Sequence, residues 1–213
     1  MKGRITREDS GFPQVLKEFM PEAEEIYFDG DLSLLETRSV AVVGSRRCTA
    51  YGRTVAKAIG RRMAENQVTV VSGLARGIDT AGHLGALEAG GKAIAVLGGG
   101  TDYYYPPENR GLQQRIAREG LLLSEHPPAY CPRPYDFPKR NRIIAAAAES
   151  LVVVEAGNRS GALITAECAE EMGKNVYAVP GNITSIYSFG ANKLIRENVT
   201  PLILIDEIGR AHV

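Results

Sequence analysis

The sequence predicts an α/β protein with an extended Rossmann-like fold, a doubly wound and mostly parallel sheet of about seven strands. Three observations lead there. Short apolar runs alternate with longer amphipathic stretches along the chain. The runs are continuous and rich in β-branched residues, as strands covered on both faces are. Most of them end in glycine, serine or proline, the residues that make turns.

Residues 1–37 read as a lead-in packed against the sheet, too short for a domain of its own. The first strand is Val40–Val43, ending at Gly44, and a helix follows near residues 51–65. Val68–Val71 ends at Ser72-Gly73 and precedes a helix near 79–89. Ala93–Leu97 runs into three glycines, with a helix near 109–119 beyond a Tyr-Pro segment. Leu121–Leu123 leads into Ser124–Lys139, which holds five of the eleven prolines and reads as an ordered irregular loop. A helix near 140–148, the strand Leu151–Val154 and a helix near 161–172 come next. Val176–Val179, a helix near 189–196 and a last strand at Leu202–Ile205 complete the alternation.

Composition narrows the function. The 213 residues carry 25 basic and 25 acidic side chains and are 44% hydrophobic, which fits an ordered globular chain rather than a disordered one. No apolar run reaches the roughly 18 residues of a membrane span, and the N-terminal residues lack the apolar stretch of a signal peptide. Three scattered cysteines, Cys48, Cys131 and Cys168, make neither a disulfide framework nor a zinc pattern, so a reduced, cytoplasmic setting is expected. The zero net charge is uneven: residues 1–36 hold nine acidic and four basic side chains, and the remainder is correspondingly basic.

Ligands of open α/β sheets bind beyond the carboxyl ends of the strands. The turn after the first strand lacks G-x-G-x-x-G spacing, and no P-loop occurs anywhere, which argues against a dinucleotide oxidoreductase and a P-loop NTPase. Gly157–Gly161 misplaces its serine for a nucleophile elbow. His83, His126 and His212 have no metal-ligand spacing, and His83 reads as a satisfied structural histidine. No metal, cofactor or catalytic residue is expected. What remains suits anions. Gly44-Ser45-Arg46, the segment Gly73–Asp79 and Ser160-Gly161 place small residues, hydroxyls and cations at strand ends just before helix starts. The densest signal is Phe137-Pro-Lys139-Arg140-Asn141-Arg142, three cations and an amide beside an aromatic ring, which fits a backbone-tracking patch with one stacking platform.

Taken in order, GSR (44–46), YG (51–52), SGLARGID (72–79) with His83, AVLGGG (95–100), YYPPEN (104–109), SEHPP (124–128), FPKRNRIIA (137–145), VVEAGNRSGALITA (153–166), AVPG (178–181) and GANKLI (190–195) resemble the DNA-processing protein A family, DprA/Smf. The lead-in matches too, with FP at 12–13 and FDGDLSLL at 28–35. The resemblance implies a Rossmann-like body over residues 38–213, without the separate N-terminal helical or C-terminal winged-helix domain of longer relatives. It implies a non-enzymatic binder of single-stranded DNA that loads the RecA recombinase during natural transformation. Carried over by residue, it places DNA contacts at Gly44, Ser45, Arg46, Gly73, Gly77, Phe137, Lys139, Arg140, Asn141, Ser160 and Gly161. It also implies a homodimer through Leu194 and Ile195, although the family's LI-x-x-GA pattern reads here as Leu194-Ile195-Arg-Glu-Asn198-Val199. Two alternatives remain at this stage. One is a phosphoribohydrolase-like nucleotide enzyme, whose P-G-G-x-G-T-x-x-E signature is absent, and the other is a nucleotide-sensing module.

Overall fold

The structure, a computed structural model, describes residues 1–208, so His212 lies outside the described residues. Nine strands form one sheet: β1 (Lys2–Thr6), β2 (Glu25–Gly30), β3 (Ser39–Val43), β4 (Thr69–Ser72), β5 (Ala93–Val96), β6 (Leu121–Ser124), β7 (Ser150–Val153), β8 (Asn175–Ala178) and β9 (Thr200–Pro201). Their spatial order is β1-β2-β6-β5-β4-β3-β7-β8-β9. From β3 to β9 every neighbouring pair is parallel, whereas β1 and β2 are antiparallel additions beside β6.

Among the described residues there are seven α-helices: α1 (Gln14–Phe19), α2 (Ala50–Glu65), α3 (Ile78–Glu88), α4 (Arg110–Glu119), α5 (Asp136–Ala146), α6 (Gly161–Glu171) and α7 (Phe189–Arg196). Side chains alternate across the strands and feed two cores. Ala41, Val43, Val71, Ile94 and Val153 face a core shared with α1, α5, α6 and α7. Val40, Val42, Val70 and Val152 face a second core under α2 and α3, continued beneath α4 by Ala93, Ala95, Leu122 and Ile116. Burial on both faces explains why the strands read as unbroken apolar runs.

Three expectations need correction. The first concerns the lead-in, which supplies two sheet strands, so the sheet has nine strands rather than about seven. The last strand is also displaced. β9 is Thr200–Pro201, while Ile203 and Leu204 are exposed and give their N–H groups to the Glu207 carboxylate at 3.0 and 2.9 Å. Pro201 has no N–H to donate, which confines β9 to a short edge strand. Finally, α5 starts at Asp136, inside the segment read as irregular loop. Pro138 is tolerated because the first turn of a helix needs no N–H partner, and the Asp136 carboxylate accepts from Arg133 N–H at 2.7 Å and the Tyr130 hydroxyl at 3.0 Å.

The chain leaves β3 toward β4 on one side, and returns to β7 on the other. That reversal is the switch point at which open α/β sheets bind ligands. No helix among the described residues is long and apolar enough to cross a membrane.

Candidate functional site

A cleft of about 570 Å³ opens at the β3/β7 switch point. The turn after β3 lines it with Gly44, Ser45, Arg46 and Arg47, and the turn after β7 with Gly157, Arg159, Ser160 and Gly161. Arg140 and Asn141 of α5, Asp79 of α3, and Ile186 with Tyr187 from the loop after β8 complete the wall. Four different strand–helix connections therefore converge on one opening.

Backbone hydrogen bonds hold these turns together. Ser45 donates its N–H to Glu155 O at 2.7 Å and accepts at its own carbonyl from Ile78 N–H at 3.3 Å. Gly77 makes that second contact possible: its φ is +78°, and a Cβ there would stand 2.3 Å from Ser45 O. Ser160 caps α6, its hydroxyl accepting from Ala162 N–H at 3.3 Å. Asn141 reaches across to donate to Gly161 O at 3.1 Å. Free N–H groups and the dipole at such a helix start favour an anion.

The charges divide by role. Arg46, Arg47 and Arg159 are exposed, and none of them pairs with a described carboxylate. Arg140 is buried beneath them. Its Nη1 donates to Gly73 O at 2.8 Å and to Val96 O, and its Nε to Asn141 Oδ1 at 3.3 Å. Burial pushes its pKa down to about 10, the Asp79 charge opposing and the Arg46 charge adding to the shift, so Arg140 stays cationic at neutral pH. Asp79 is the single carboxylate of the cleft wall. It accepts from Gly73 N–H at 3.1 Å and Ala75 N–H at 3.2 Å. Burial nevertheless raises its pKa to about 6, against the pull of Arg140 and those N–H groups.

Not every expected residue reaches the cleft. Gly73 and Phe137 line a small adjoining notch of about 20 Å³, which shares Arg46, Ala75 and Arg140 with the main opening. There the Arg46 guanidinium lies 5.2 Å from the Phe137 ring centre, and Tyr105 tilts against the same ring at 5.1 Å. Gly77 lines neither space and acts on Ser45 from behind. Lys139 is exposed on α5 but lines neither. Leu194 is buried in the chain's own core, with Ile195 half-buried against it.

Two further cations of the sequence reading are engaged elsewhere. Arg76 pairs with Glu108 through Nε–Oε1 and through Nη2–Oε2 at 3.1 Å. Arg142 turns away to Glu125 at 2.6 Å and Glu22 at 3.3 Å. A helix rotates successive side chains by about 100°, so a run of cations in sequence cannot be one patch in space. His83 is fully buried, as a structural histidine is, but neither ring nitrogen has a protein partner. Burial and the Arg140 charge push its pKa down to about 3, which keeps it neutral and unsuited to acid–base work. Arg47, Arg159, Ile186 and Tyr187 were not among the expected site residues. Arg159 stands immediately before Ser160 in a turn already of interest, and Ile186–Tyr187 follow β8, the next strand end along.

These features define a class: a Rossmann-like domain whose switch-point cleft is lined by exposed guanidiniums and a capped helix start and carries neither the G-x-G-x-x-G nor the P-loop signature. The chain belongs to the family described as DNA recombination-mediator protein A, which matches residues 3–211. DNA processing protein DprA of Streptococcus pneumoniae (strain R6) is 46% identical over 190 residues, covering 89% of this chain and 67% of that one. An X-ray structure of DNA processing protein A from the same species superposes with a TM-score of 0.92 at 40% identity, over 97% of this chain and 73% of that one. DNA processing protein A from Helicobacter pylori, solved in a study of its single-stranded DNA binding mode, gives a TM-score of 0.86 at 28% identity, over 98% and 96%.

Proposed function

We propose that this chain is a non-catalytic, cytoplasmic single-stranded DNA binder that serves recombination by loading RecA onto the strand it holds, as in DNA uptake. The observation that carries the reading is the cleft itself, where three unpaired guanidiniums and a capped helix start face one opening. Phosphates of a strand fit Gly44, Ser45, Arg46, Ser160 and Gly161, and one base fits against Phe137, whose ring already carries the Arg46 guanidinium. Gly73, Gly77, Arg140 and Asn141 hold those groups in place, and Lys139 meets the strand outside the cleft. Family membership and the strand-binding relative from Helicobacter pylori support the same reading. A homodimer through α7 belongs to it as well. With Leu194 buried, the apolar groups that helix and its preceding loop present are Phe189 at 54% exposure, Ile186 and Ile183.

Replacing Arg46 by alanine is expected to weaken binding of a dT oligonucleotide by about tenfold, and Lys139→Ala by about threefold. Neither should change the melting temperature, since both side chains are exposed. Fluorescence anisotropy with strands of increasing length is the measurement. Unaltered affinity in both variants, or affinity that does not grow with length, refutes the assignment.

Asp79 gives that binding a pH signature. A phosphate in the cleft disfavours the Asp79 carboxylate and so raises its pKa further, which makes binding take up a proton. Affinity therefore rises as pH falls through the raised value of the complex and levels off below about 6. The groups around Asp79 do not mask this, since Arg140 stays charged and His83 stays neutral there. The expected gain between pH 7 and 5.5 is roughly three- to tenfold. Asp79→Asn, which keeps an acceptor for Gly73 N–H, should flatten the profile; an unchanged profile sinks the linkage.

A further inference from the structure

In Rossmann-like sheets the first strand–turn–helix unit at the switch point sets a ligand phosphate on the helix start. In this chain that unit is β3–α2, and its helix start is filled from within. Glu155, two residues beyond β7, crosses the switch point. Its carboxylate accepts from Thr49 N–H at 2.8 Å and from the Thr49 hydroxyl at 2.6 Å. Thr49 is the N-cap of α2, and its Oγ1 accepts from Gly52 N–H at 3.2 Å. Glu155 is only 3% exposed, and Gly52 supplies the room it needs: a Cβ there would stand 2.4 Å from the carboxyl carbon.

A buried carboxylate is costly unless charge and hydrogen bonds compensate it. Here the compensation comes from the N–H and hydroxyl of Thr49, the N-cap of α2, at the helix start where a Rossmann-type phosphate would sit. We propose that Glu155 is a resident anion, a specificity-determining residue that occupies the phosphate position at the start of α2. Mononucleotides and dinucleotides are thereby denied their usual anchor. The ligand is instead one with several phosphates in series, able to engage Arg46, Arg47, Arg159 and the start of α6 across the cleft. The inference rests on the DNA-binding reading and adds to it the reason that a strand is held and a free nucleotide is not.

The test is Glu155→Ala, which removes the resident charge and leaves its donors open. Melting is followed in about 10 mM orthophosphate and in chloride of matched ionic strength, and the stabilisation by phosphate should exceed that of the unsubstituted chain by about 3 °C or more. Equilibrium titration with AMP should show binding gained by Glu155→Ala and undetectable at millimolar nucleotide in the unsubstituted chain. Glu155→Gln fills the same volume and is expected to gain neither. The proposal is overturned if Glu155→Ala shows no phosphate-specific gain, including a variant that stays unfolded in both salts. It is also overturned if Glu155→Gln gains as much, or if the unsubstituted chain binds AMP. Failure of that chain to bind a dT strand counts against the DNA reading, whatever the phosphate melts show.

Discussion

Arg140→Met is expected to destabilise the fold by about 3–5 kcal/mol, because it removes a buried, hydrogen-bonded guanidinium whose charge also offsets that of buried Asp79. The guanidinium is 5% exposed and ties the end of β4 to the end of β5 through Gly73 O and Val96 O. Methionine fills most of the volume and supplies no donor. Two strand-end carbonyls lose their partner, and the Asp79 carboxylate loses the charge that opposes its burial. Urea denaturation measures the loss. Adding Asp79→Asn in the same chain should recover part of it, because the second change removes the stranded charge. A loss below about 1 kcal/mol, or strictly additive effects, would show that the guanidinium is not holding the floor of the cleft.

Affinity for a dT oligonucleotide should fall by about 600-fold between roughly 50 and 500 mM salt. The figure comes from counting the cations free to replace counterions, namely Arg46, Arg47, Lys139 and Arg159. Four such contacts on a single strand give a slope of about −2.8 in log affinity against log salt. Arg140 and Arg142 are left out of the count, the first buried in hydrogen bonds and the second paired with Glu22 and Glu125. Removing any one of the four should lower the slope by about 0.7. A slope near −4 would bring the excluded arginines back onto the strand, and one near zero would remove the phosphates from the interaction altogether.

The parallel part of the sheet is legible in the sequence because both of its faces are covered. Val40–Val43 or Leu121–Leu123 has no polar alternation to confuse with a surface strand. The edges are not legible for the opposite reason. KGRIT in β1 and EIYFDG in β2 mix charge with apolar residues and gain strand character only by pairing with each other and with β6. Within the cleft, the strand-end turns are readable because three of them set small residues just before helix starts along one sheet edge, although each alone could be an ordinary turn or N-cap. The cation run 139–142 is read less well, since whether α5 begins at Asp136 or later decides which side chain faces which way. Glu155 shows the same limit. As one acid in a turn it carries no signal, and its role appears only when β7 is set beside β3 and Thr49 comes within reach.

The two ends of the sheet carry a consequence for assembly. At one margin β1 bears Lys2 and Arg4, charged side chains that discourage a stray strand from zipping on. At the other, β9 contributes two residues, the second of them Pro201, which leaves little ladder to extend. Another polypeptide therefore has scant opportunity to recognise this molecule by continuing its sheet. Under the proposed function, a recombinase recruited to the bound strand would have to read the molecule through side chains on its helices and loops, where single substitutions could sever the contact without disturbing the scaffold.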